Sequence, residues 1–181
     1  MAMLQHQTAR TTSPGLPVVA TIGALGGAAA GMMMAMVEMI YGGLADGHTI
    51  WDAPMAIWAW VAGSDQFGAP SDHVGAIVLG MGGHLANSMM LGVGFAVLAA
   101  ALVRRSDTMT SVALGTMFGL LVWVGTRYVL LPLNDSAADL FTGSAVSPQW
   151  LWWLAHGVFG MTLGLVYARL AARSSSKHLT A

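Results

Sequence analysis

Glu38, His84, Arg127 and His156 are the ionisable side chains that fall inside long apolar stretches of this 181-residue sequence. A charge in hydrocarbon costs at least about 2.5–3.5 kcal/mol, so residues kept there mark a structural pairing or a site. Glu38 is the only Glu in the chain, and Arg127 lies apart from every other Lys and Arg. Three chemistries fit the set. In the first, Glu38 and Arg127 form an ion pair while His84 and His156 hydrogen-bond Asn87, Ser88 or backbone carbonyls, fixing helix register. In the second, His84 and His156 are axial ligands of a b-type haem, with Gly83 and Gly157 making room for the ring. In the third, they bind copper together with thioethers, Met81 and Met161 being near them in sequence. The chain has 14 Met, including Met32, Met33, Met34, Met36 and Met39, but consecutive residues point in different directions around a helix, and Met is also ordinary apolar filler.

Other chemistry is poorly supplied. Zero Cys excludes disulfides, thiolate metal sites and thiol nucleophiles. There is no Gly-x-Ser-x-Gly, no His-Glu-x-x-His and no phosphate loop, and Gly80-Met81-Gly82-Gly83 lacks the strand that would precede a dinucleotide fingerprint. A proton path through Glu38 and the histidines is chemically open. With seven Lys+Arg and no basic cluster, the chain is not built to bind nucleic acid.

The elements that must position these residues follow from composition. Charged residues make up 8% of the chain, hydrophobic ones 56%, and the mean hydropathy is +0.66. A water-exposed surface needs more charge than that, so the expected class is all-α, an integral membrane four-helix bundle. Four apolar runs reach the roughly 20 residues needed to cross about 30 Å of hydrocarbon: 16–41, 74–103, 112–133 and 150–170. Breakers coincide with their ends: Pro17 in a first turn, Gly42-Gly43 after the first run, Pro132 at the end of the third and Pro148 before the fourth. One transmembrane domain, 16–173, is then flanked by tails 1–15 and 174–181.

Basic residues set the expected orientation. Arg10, Arg104, Arg105, Arg169, Arg173 and Lys177 all flank one side, whereas the other connections carry Asp46, Asp52, Asp65, Asp72, Asp135 and Asp139. By the positive-inside rule both termini are cytoplasmic, which implies a multi-pass membrane protein. A cleaved signal peptide ending near Ala28-Ala29-Ala30-Gly31 competes with this, but the apolar run continues to Tyr41, favouring an uncleaved helix.

The connection 46–72 is too long for a tight turn. Ile50, Trp51, Pro54, Ile57, Trp58 and Val61 recur near helical spacing, and Trp51, Trp58 and Trp60 suit the headgroup level. A short interfacial helix is therefore expected, with Asp52 as N-cap before Pro54. Between lipid-embedded helices, association rests on small residues and interhelical hydrogen bonds. Gly23, Gly27 and Gly31, then Gly115 and Gly119, then Gly160 and Gly164 form such seams, and the second span carries Gly75, Gly80, Gly82, Gly83, Gly92 and Gly94.

The order of Gly83-His84 early in span two, Leu131-Pro132-Leu133 closing span three and His156-Gly157 in span four resembles the YagU-like group of small bacterial inner-membrane proteins. That resemblance would cover roughly 16–173, and implies a four-helix topology without a specific activity. The functional expectation is a non-enzymatic membrane protein, an accessory or scaffold subunit packed against other membrane subunits or another copy of itself. The alternative is a haem b or copper protein for electron transfer or metal handling, using His84 and His156.

Overall fold

A computed structural model describes residues 15–102, 107–143 and 145–177. Arg10, Arg104 and Arg105, on which the orientation partly rests, lie outside them. Among the described residues the structure is helical, with no strand, and four helices are long and apolar enough to cross a membrane. These are α1 (Leu16–Leu44), α3 (Val74–Leu102), the Thr108–Leu133 segment that begins as α4 (Thr108–Gly125), and α6 (Gln149–Lys177). Two shorter helices, α2 (Asp52–Ala62) and α5 (Asp135–Thr142), share one end of the bundle.

α1 packs against α3 on one side and α6 on the other, and α6 packs against α4. The four long helices thus form an arc in the order α3, α1, α6, α4, whose ends scarcely touch. Glycine makes the close contacts possible. A Cβ at Gly23 or Gly27 would run into the α3 backbone at Gly92 or Ser88, and one at Gly160 or Gly164 into α4 at Gly115 or Ser111. Only part of the expected span-two seam takes part: Gly80 lies under the Pro54 carbonyl and Gly92 against Gly23, but Gly75, Gly82, Gly83 and Gly94 have open space where a Cβ would be. One apolar core runs along the arc through Ile22, Phe95, Phe159, Leu163 and Tyr167. A second lies beneath α2 and α5, around Ala56, Trp123, Phe141 and Trp152.

Three local features depart from the sequence expectation. α4 starts four residues earlier than the apolar run, because the Asp107 carboxylate accepts from the Thr110 backbone N–H at 2.9 Å and from its hydroxyl at 2.7 Å. Asp52 is the first residue of α2 rather than its N-cap, a position held by Trp51, and its carboxylate turns back to accept from Thr49 N–H, Thr49 Oγ1 and His48 Nδ1. α2 itself is no loosely lying helix: Pro54, Met55, Ala56 and Ala59 are buried, packed on α3 and the second core.

Candidate functional site

α4 ends where Pro132, lacking an N–H, breaks the helical ladder. The last turns widen into a π turn, Thr126–Leu130, in which Leu131 N–H reaches back to the Thr126 carbonyl, and then tighten into a 3-10 turn, Leu131–Leu133. A π turn holds more residues than an α turn, so Arg127 falls out of the phase that would align it with Trp123. Trp123 is buried at 1% exposure, whereas Arg127 is half-buried with its guanidinium carbon 5.5 Å from the centre of the Tyr128 ring.

Glu38 consequently has a different partner from the one expected. Its Oε2 accepts a hydrogen bond of 2.9 Å from Ser147 Oγ, contributed by the short connection before α6. Glu38 is 5% exposed, and its Oε1 has no partner among the described residues. No Glu38–Arg127 ion pair forms there, because the distorted end of α4 leaves Arg127 beside Tyr128 while the 145–148 connection covers Glu38.

The two histidines, by contrast, do converge. His84 of α3 reaches across to α1, where Nε2–H donates to the Gly31 carbonyl at 3.0 Å. His156 of α6 donates from Nδ1–H to the Trp152 carbonyl one turn earlier, at 2.9 Å. A carbonyl only accepts, so each bond assigns its ring proton. In the neutral ring the remaining nitrogens, Nδ1 of His84 and Nε2 of His156, are bare acceptors. Both side chains line a cavity of about 310 Å³ in the gap between α3 and α4, together with Asn87, Trp123, Trp60 and Met34. Trp123 forms an aromatic wall: it stacks on Trp152 at 5.5 Å with planes 15° apart, and meets His156 at 4.9 Å. The indole N–H groups of Trp60 and Trp152, both wall residues, are buried with no acceptor among the described residues.

Along the helices the cavity runs from beneath α2 to Leu91 and Phe159. Toward the α2 end it is roofed by Ile57, Trp60 and Val61. Toward the other end, Phe95 of α3 meets Phe118 of α4 at 5.4 Å, the point where the arc nearly closes. The open direction is sideways, between α3 and α4, where Gly83 and Asn87 are exposed.

Of the sequence-selected residues, then, His84, Asn87 and His156 meet at one cavity, while Glu38 and Arg127 lie apart from it and from each other. Met81 and Met161 are not in its wall, and Met161 is 48% exposed elsewhere on α6; the thioether at the cavity belongs to Met34. Among the described residues no group of three His, Cys, Asp or Glu side chains gathers as a metal site. The haem arrangement also fits poorly. His84 presents Nδ1, flanked by its own Cβ, and Gly157, expected to clear one face, is not in the cavity wall. Sequence reasoning missed Trp60 and Phe141 as wall residues and Ser147 as the partner of Glu38. Trp60 carries the same aromatic signal as its neighbours, which suits the headgroup level equally well, and Ser147 carries none. Compared with protein-family models, with curated proteins and with solved structures, the chain matches none of them.

Proposed function

We propose that this chain is a non-enzymatic, multi-pass integral membrane protein that holds a small lipid-soluble ligand in the cavity between α3 and α4. The convergence of two oriented imidazoles on an aromatic-walled cavity carries this reading: pockets of this size, mostly apolar with a few placed polar groups, are the usual form of a small-molecule site. The membrane setting is supported by the apolar exterior, where Leu121, Met90 and Val129 are each at least 60% exposed. In this reading the helices cross a bacterial plasma membrane with both termini cytoplasmic, α2 and α5 lie at the outer surface, and the YagU-like resemblance describes the topology.

Gently purified protein, without chelators, should release a stoichiometric small molecule detectable by mass spectrometry. Gly83→Leu, which places a side chain in the cavity wall where no atom lies within 4 Å of the new Cβ, should fold and lose that molecule. An optical spectrum and elemental analysis of the same sample test haem b and copper directly. Identical small-molecule content in both proteins would overturn the reading.

The open glycines of α3 favour a second reading, the accessory or scaffold subunit. Gly82, Ala86 and Gly94 are exposed and, for both glycines, unopposed, so a helix of another membrane subunit or of a second copy has room to approach closely there. Gly82→Leu should then abolish co-purification of that partner, or dimerisation in a crosslinking assay. Unchanged association would remove this reading.

A further inference from the structure

Resting on the cavity reading above, we infer that the ligand is a lipid-soluble aromatic molecule bearing ring hydroxyl groups, of the quinol class, entering from the bilayer between α3 and α4. The route of entry follows from the enclosure. Ile57, Trp60 and Val61 lie at the α2 end, Leu91 and Phe159 line the cavity farther along, and between α3 and α4 its rim carries the exposed Gly83 and Asn87, on the flank that faces lipid in this reading. A ligand taking that route must dissolve in hydrocarbon. Its polar chemistry follows from the protons already assigned. His84 and His156 spend their N–H groups on the carbonyls of Gly31 and Trp152, so each offers the cavity an acceptor and requires a donor from the ligand.

An O–H group supplies that donor, whereas a ketone or an ether, which only accepts, does not. The lining is rich in aromatic side chains, Trp60, Phe141, Trp152 and Phe159 among them, which suits an aromatic ring, and about 310 Å³ admits one substituted ring with the start of a tail that leaves through the lateral opening.

The test uses the full chain, delipidated and placed in nanodiscs, under reducing and oxygen-free conditions. Titrations use a short-tailed benzoquinol and its dimethyl ether, which keeps the ring and tail but has no O–H. Binding is read by quenching of tryptophan fluorescence and by calorimetry. The quinol should bind saturably at one site per chain, and the ether about tenfold more weakly, the size of effect expected for losing one or two hydrogen bonds in a closed site. His156→Phe, of similar volume, and Asn87→Leu, at the exposed mouth, should narrow the preference for quinol over ether. Gly83→Leu should abolish binding of both.

Equal affinities for quinol and ether, with both lost in Gly83→Leu, would overturn the hydroxyl class while leaving the cavity as a ligand site. Failure of both to bind the wild type, or quinol binding unchanged by Gly83→Leu, would overturn the quinol assignment. The wild-type release experiment then decides separately whether the cavity holds another ligand. If His156→Phe fails to fold, the ether comparison and Asn87→Leu still decide the hydroxyl question.

Discussion

At the scale of single residues, a polar group in a long apolar helix takes whichever partner its backbone brings near. Glu38 meets Ser147, and Arg127 sits beside Tyr128. A double-mutant cycle between Glu38→Gln and Ser147→Ala should therefore give a coupling of order 0.5–1.5 kcal/mol in bilayer unfolding measurements, as expected for one buried side-chain hydrogen bond. The cycle between Glu38→Gln and Arg127→Gln should be additive to within about 0.5 kcal/mol. Strong coupling in the second cycle would restore the ion pair.

Outside the spans, His73 has both ring nitrogens against carbonyl oxygens, Nδ1 at 2.9 Å from Ala69 and Nε2 at 3.0 Å from Asp65. Only the imidazolium donates to both, so the hydrogen bond to Ala69, then that to Asp65, holds its pKa above the usual 6.5. A raised pKa means that the contact is complete below pH 6.5 and is lost as pH rises through the higher folded value. An NMR titration of the imidazole should show a midpoint above 6.5, and one at or below it would contradict this geometry.

At the scale of elements, glycines of identical chemistry divide by what faces them. A methyl at Gly160 would overlap the Gly115 carbonyl, whereas one at Gly82 meets open space. Gly160→Ala should cost about 1–3 kcal/mol through forced separation of α4 and α6. Gly82→Ala should be neutral or stabilising by up to about 1 kcal/mol, because Ala is the better helix former. Equal stability of the two variants would mean that α4 and α6 are not in close contact.

Seen whole, the arc of helices supplies both a packed side and an open side. α1 and α6 are held by neighbours, while α3 and α4 show most of their surface outward and leave the cavity between them. Each 29-residue helix is about 43 Å long, more than the roughly 30 Å of a bilayer's hydrocarbon. Because the chain has no Cys, single introduced cysteines report its orientation cleanly. Ser64→Cys and Ser136→Cys should react with an impermeant thiol reagent in intact cells, and Ser106→Cys should not. Labelling of Ser106→Cys from outside would reverse the topology.

Composition and apolar run length were enough to read four long helices from the chain, because burying or shedding apolar surface is decided over about 20 residues and tolerates local detail. The breakers Pro17, Pro132 and Pro148 located helix ends for the same local reason: a missing N–H acts wherever it occurs. His84 and His156 were also legible as special, since their polarity contrasts with their surroundings. Which residues meet was not legible. Helical phase runs undisturbed only while the turn stays α, and the π turn at Thr126–Leu130 shifted Arg127 out of register. α5, the burial of α2 and the Ser147 bond to Glu38 depend on how connections fold back over the helices, and no periodicity encodes that. The cavity depends on α3 and α4 failing to close, a property of four helices together, and so only the tertiary structure decided it.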